Sequence, residues 1–135
     1  MKYILSVRLK PMSDYIEIGF RWIFGLQMIF WGLNGFFHFV KTPPAGPTID
    51  AFVTACNETK FIMPTVKFLE VVFGIFLIIN FAVAMSLAVF APILFVVSGL
   101  HIFHNPRPWG VLGSFTLPYC LLVLFHAEAL LRLVH

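Results

Sequence analysis

The sequence predicts an all-α integral membrane protein: a four-helix bundle with a short amphipathic helix in its first outer loop. Three observations carry this. Only 11% of the 135 residues are charged and 60% are hydrophobic, whereas a soluble domain carries about a quarter charged residues. Residues 61–103 form a nearly unbroken apolar run, about twice the length needed to cross a bilayer once. The apolar stretches are separated by segments rich in Pro, Gly and Asn, which end helices. A single transmembrane domain, residues 1–135, accounts for a chain of this length.

The first span is expected over about 15–40. Asp14 followed by Glu17 reads as a capping box, with Pro11 just outside the helix. The run from Lys41 to Pro47, with three prolines and a glycine, ends it. Residues 48–60 then place Ile49, Phe52, Val53 and Cys56 on one helical face, which predicts an amphipathic helix on the membrane surface. The long apolar run must fold back on itself. Its polar break at Asn80 to Ser86 sets the second span at about 62–80 and the third at about 83–104. The Asn105–Gly110 segment, with two prolines, ends the third span. A fourth follows at about 110–133, with a kink expected at Pro118. Short apolar residues 3–9 with no small-residue cleavage site after them do not read as a removable signal peptide.

The net charge of +3 is modest and its lysines and arginines are scattered, which argues against a nucleic-acid surface. Lys2, Arg8, Lys10, Arg21 and Arg132 fall on one side, and Lys41, Lys60, Lys67 and Arg107 on the other. This bias favours both termini in the cytoplasm of a bacterial-type inner membrane. Cys56 lies in a polar connection and Cys120 in an apolar run, so the two are expected at different depths, unpaired, with only Cys56 open to an aqueous thiol reagent.

Charged groups within a span cost about 2.5–3.5 kcal/mol each on insertion scales, so each needs a reason. Glu70 lies roughly 12 Å below the outer end of its span at 1.5 Å per residue. Lys67 shares its face at i, i+3, and Asn34, His38, Ser98, His101 and His104 fall in the same outer half. This cluster either glues helices together or binds something, with Glu70, Lys67, His38, Asn34, His101 and His104 as the binding candidates. Carboxylate and imidazole suit zinc, iron or copper, but no ligand-spacing motif accompanies them. The many phenylalanines suit lipid contact or a hydrophobic pocket, which keeps a quinone or lipid site open. A second, shallower set comprises Arg21, His126 and Glu128, for which structural pairing, Arg21 with Glu128, or snorkelling to the interface is expected. No nucleophile motif or phosphate loop is present, and no catalytic residue is assigned.

Several stretches together resemble DoxX-like membrane proteins. They are Phe30-Trp-Gly-Leu-Asn-Gly-Phe-Phe-His38 ahead of a proline-rich loop, Lys67-Phe-Leu-Glu70-Val-Val-Phe-Gly74, the turn residue Asn80, and Ala91-Pro92-Ile93 with His101-Ile-Phe103. The resemblance covers residues 18–104. It implies a four-helix membrane bundle and draws attention to Arg21, Asn34, His38, Lys67, Glu70 and His101. Gly35 stands where such proteins often have His, and Phe81 where Arg is common. The family takes its name from a subunit of a thiosulfate:quinone oxidoreductase, and other members resemble chaperones and assembly factors. Fold alone does not transfer either activity. The leading expectation is a non-enzymatic accessory or assembly protein that needs no cofactor and binds a partner membrane protein, another copy of itself or a small hydrophobic ligand. The alternative is a membrane subunit of a quinone-linked oxidoreductase.

Overall fold

The computed structural model describes residues 2–41 and 44–134. Thr42 and Pro43 of the proline run, and the side chains of Lys2, Arg8 and Lys10 on which the expected orientation leans, lie outside the described residues. The chain is all-α among the described residues: α1 (Lys2–Phe37), α2 (Pro47–Glu58), α3 (Ile62–Ile78), α4 (Val83–His104), α5 (Trp109–Phe125) and α6 (Ala127–Val134).

α1 departs from expectation at its start. It is one helix of 36 residues that passes through Pro11, so Asp14 and Glu17 lie inside it and form no capping box. Asp14 caps nothing among the described residues, and the Glu17 carboxylate is taken by Arg21 and His126. At 1.5 Å per residue α1 is about 54 Å long, well beyond the roughly 30 Å hydrocarbon core of a bilayer. Its far end closes at His38, whose φ of 55° is left-handed. The side chain of Asn34 fixes that reversal, accepting from Val40 N at 2.8 Å and donating to Val40 O at 3.0 Å.

α4 is long and apolar enough to cross a membrane, with 22 residues and a mean hydropathy of 2.3. Two bent pairs reach the same measure only when each is taken as one broken span: α2 with α3, bent by 95°, and α5 with α6, bent by 77°. In α1 the polar side chains of Arg21, Gln27 and Asn34 interrupt the apolar run. The fourth expected span is therefore not one straight helix. Its sharp bend falls at His126, not at Pro118. Pro118 instead follows a wide π-helical turn, Leu112–Thr116. Proline has no N–H for the carbonyl four residues back, Ser114, and Gln27 Nε2 of α1 donates to that carbonyl at 2.9 Å.

α1 packs along α3 and against α5, and α4 packs against both α3 and α5. The core lies between them: Phe24 and Met28 of α1, Leu77 of α3, Leu87, Phe90 and Leu94 of α4, and Leu122 of α5. Phe24 and Phe90 meet edge to face at 5.3 Å between ring centres, the arrangement aromatic quadrupoles favour. The α3–α4 hairpin turns through Asn80 and Ala82, both with positive φ. Tyr119 Oη donates to Leu87 O at 2.7 Å and ties α5 to α4.

α2 crosses the ends of α3 and α4. Ile49 and Cys56 of its apolar face are buried, while Phe52 and Val53 remain exposed. The expected opening of Cys56 to an aqueous reagent is not met, because the residue is covered. Cys56 is buried on the inner face of α2, and Cys120 is exposed on the outer face of α5, away from the core residue Leu122.

Candidate functional site

Two polar groups lie at opposite ends of the helices. The first is built on the α1–α3 contact. Gly32 and Gly35 leave room on α1: a Cβ on Gly32 would stand 2.6 Å from Val71 Cγ2 and 2.9 Å from Lys67 O, and one on Gly35 would stand 2.6 Å from Lys67 Cγ. The stem of Lys67 therefore lies across the bare backbone of α1. Its Nζ donates to Glu70 Oε2 at 3.3 Å. Glu70 is buried, with 9% of its side chain exposed against 22% for Lys67. The other carboxylate oxygen of Glu70 takes no hydrogen bond among the described residues. A carboxylate ordinarily accepts several, so Glu70 keeps an open acceptor position, and since no fully buried side-chain oxygen among the described residues lacks a partner, that oxygen reaches the surface of the bundle.

The remaining residues of the expected outer cluster lie at the same end, but each is engaged separately. Asn34 is committed to Val40. His38 is exposed at the close of α1. Asn105 Oδ1 accepts from Arg107 N at 2.9 Å, which turns its Nδ2 to donate to His101 Nδ1 at 2.8 Å. His104 is exposed, and its carbonyl lies against Gly46 of the loop before α2. Ser98 pairs with Thr116 of α5 at 2.7 Å. Of the expected set, only Lys67 and Glu70 are brought together. The metal site composed of Glu70, His38, His101 and His104 does not assemble: among the described residues no three His, Cys, Asp or Glu converge.

The second group joins α1, α3 and the α5–α6 bend. Glu17 Oε1 accepts from Arg21 Nε at 3.0 Å and from His126 Nε2 at 2.8 Å. Arg21, 5% exposed, also donates through Nη1 to Leu77 O at 2.7 Å. That carbonyl belongs to the last turn of α3, where helix carbonyls lack donors and a cation is favoured. The expected Arg21–Glu128 pair does not form. The 77° bend at His126 carries Glu128 away to an exposed pairing with Arg132 at 3.2 Å. Glu17 is the residue sequence reasoning missed, although its i, i+4 spacing to Arg21 was a signal for it.

Compared with known proteins, the chain matches no family model, no curated protein and no solved structure.

Proposed function

We propose that the chain is a multi-pass, DoxX-like protein of a bacterial-type inner membrane, folded as a four-helix bundle with both termini cytoplasmic. In this reading it acts as a non-enzymatic accessory or assembly protein. It holds a partner membrane helix or a small hydrophobic ligand through one hydrogen-bond donor presented to Glu70. The observation that carries the proposal is the open acceptor of a buried carboxylate, since an intramembrane acid is expensive and its remaining valence attracts a donor. Support for the membrane reading comes from the apolar α4, from the two bent pairs of adequate length, and from the exposed aromatics Phe37, Phe39, Phe61, Phe103 and Trp109 at one end of the helices, which suit a bilayer interface. The DoxX-like assignment rests on the residues quoted above.

The test has two parts. Membranes carrying the protein are extracted with alkaline carbonate, and a photo-cross-linking residue is placed at Val66, half-buried and one turn before Glu70 on the same face of α3. The proposal expects retention in the membrane pellet and a discrete adduct that disappears in Glu70→Ala. Release by carbonate, or an adduct indifferent to position 70, contradicts it. A quinone recovered as the adduct would transfer the site to the oxidoreductase alternative.

A further inference from the structure

We infer, on the membrane reading and independently of Glu70, that the face shared by α1 and α5 around Gln27 and Ser114 is where a second copy of the chain docks within the bilayer. Gln27 lies about 15 Å of helix from Phe37, at 1.5 Å per residue, which sets it near the middle of the hydrocarbon. Its Nε2 donates to Ile23 O at 3.2 Å and to Ser114 O at 2.9 Å. Both neighbours are carbonyl oxygens, which only the amide nitrogen can serve, so the orientation of the amide is fixed. Its Oε1 accepts from nothing among the described residues.

The Ser114 hydroxyl is the second open group. The other hydroxyls of α3, α4 and α5 are all bonded: Thr65 to Phe61 O, Ser86 to Ala82 O, Ser98 with Thr116, and Tyr119 to Leu87 O. Ser114 is exposed, and its hydroxyl bonds nothing among the described residues. It sits in the π-helical turn Leu112–Thr116, an irregularity that helices often keep at functional positions.

No water reaches such groups in hydrocarbon, and lipid chains cannot bond them, so each favours the approach of another helix. Donor and acceptor stand side by side, which makes the surface complementary to itself. Copies of one chain insert with the same orientation and meet about a two-fold axis along the membrane normal, where one patch faces its own duplicate. There the Ser114 hydroxyl of each copy donates to Gln27 Oε1 of the other, and two equal bonds form. Gly113 has open space where a Cβ would stand, so the second copy can come close. Ile23 and Leu117 flank the polar pair, and both are exposed, ready to pack across the contact.

The experiment is disulfide cross-linking in native membranes between two differently tagged full-length copies, both carrying Cys120→Ser to remove the exposed thiol. α1 and α5 run antiparallel, since Gln27 meets Ser114 and Glu17 meets His126. Ile23→Cys in one copy and Leu117→Cys in the other therefore lie at one depth on facing helices of the dimer. Oxidation with copper phenanthroline at low expression is expected to give a mixed dimer. The control pairs Ile23→Cys with Met85→Cys, an exposed position in the first turn of α4, and should give none. Ser114→Ala in both copies removes both bonds and should lower the yield about threefold to tenfold, the effect of two interhelical hydrogen bonds in a membrane. Ser114→Thr should restore it. Ser114→Ala leaves the backbone carbonyl bonded to Gln27, so folding is not at issue. A mixed dimer no more abundant than the control, or a yield indifferent to Ser114→Ala, overturns the inference. A sole adduct with a different membrane protein overturns the choice of a second copy. The same membranes are washed with alkaline carbonate: release of the protein removes the membrane reading and the docking face together, whereas retention without a mixed dimer removes the docking face alone.

Discussion

At one end of the helices a single carboxylate, Glu17, is shared by Arg21 of its own helix and His126 from the far end of the chain. At the other end Glu70 is held by one lysine of its own helix. The contacts differ in reach as well as number. Arg21 joins α1 to the terminal carbonyls of α3 at 2.7 Å, and His126 adds the α5–α6 bend. Lys67 and Glu70, 3.3 Å apart, are three residues apart on α3. The Glu17 network links three separate elements through one carboxylate oxygen, Oε1, and serves the fold. The Lys67–Glu70 pair ties nothing beyond α3, so its carboxylate is the one that can turn to another molecule without unfastening a helix.

Arg21→Ala should break this comparison open most widely. It leaves the Leu77 carbonyl without its donor and Glu17 with His126 as its one remaining partner among the described residues, a loss of about 3–5 kcal/mol, visible as a large drop in thermal unfolding temperature in detergent. Glu70→Gln should cost less than about 1 kcal/mol, because the amide still accepts from Lys67 and keeps its shape. Equal costs would dissolve the distinction between the two ends.

Gly32→Val comes next. Its side chain meets Val71 and the Lys67 carbonyl at distances no Cβ tolerates, and the α1–α3 contact should lose about 1–3 kcal/mol by overpacking. Asn34→Ala removes both bonds to Val40 and should cost about 1–2 kcal/mol, with the loss confined to the end of α1 in hydrogen exchange. The smallest effect is a gain. His38→Gly relieves a left-handed residue and should stabilise by up to about 1 kcal/mol without altering any adduct formed at Glu70. Loss of the adduct would return His38 to the binding site.

Much of the helical frame was legible because its boundaries are local. The proline-rich run after Lys41 cannot continue a helix, Asn80 marks a reversal, and Asn105 with its two following prolines ends α4. The amphipathic spacing of Ile49 and Cys56 likewise announced α2. Features that depend on distant partners were not legible. Asp14-x-x-Glu17 has the form of a helix start, and only the return of His126 to α1 shows where the Glu17 carboxylate is spent. Nothing in the residues around His126 breaks a helix, since Ala, Glu and Leu all favour continuing one. The bend arises from contacts with α1 and α4. Depth along a span placed Asn34, His101 and His104 near Glu70, but depth does not specify which face each occupies or which nearby backbone group claims it first. The burial of Cys56 was illegible for the same reason: polarity of the surrounding segment says little about which side of a helix packs inward.

The most direct test of the distinction between the two ends is native mass spectrometry of wild-type protein beside Glu70→Gln and Glu70→Ala, released from the same mild detergent, with thermal unfolding measured on the same preparations. A small molecule or partner bound in stoichiometric amount is expected on the wild type and none on Glu70→Ala, with Glu70→Gln unfolding within a few degrees of wild type. A wild type with nothing bound, together with a Glu70→Gln variant as destabilised as Arg21→Ala, would contradict the distinction and make Glu70 another part of the scaffold.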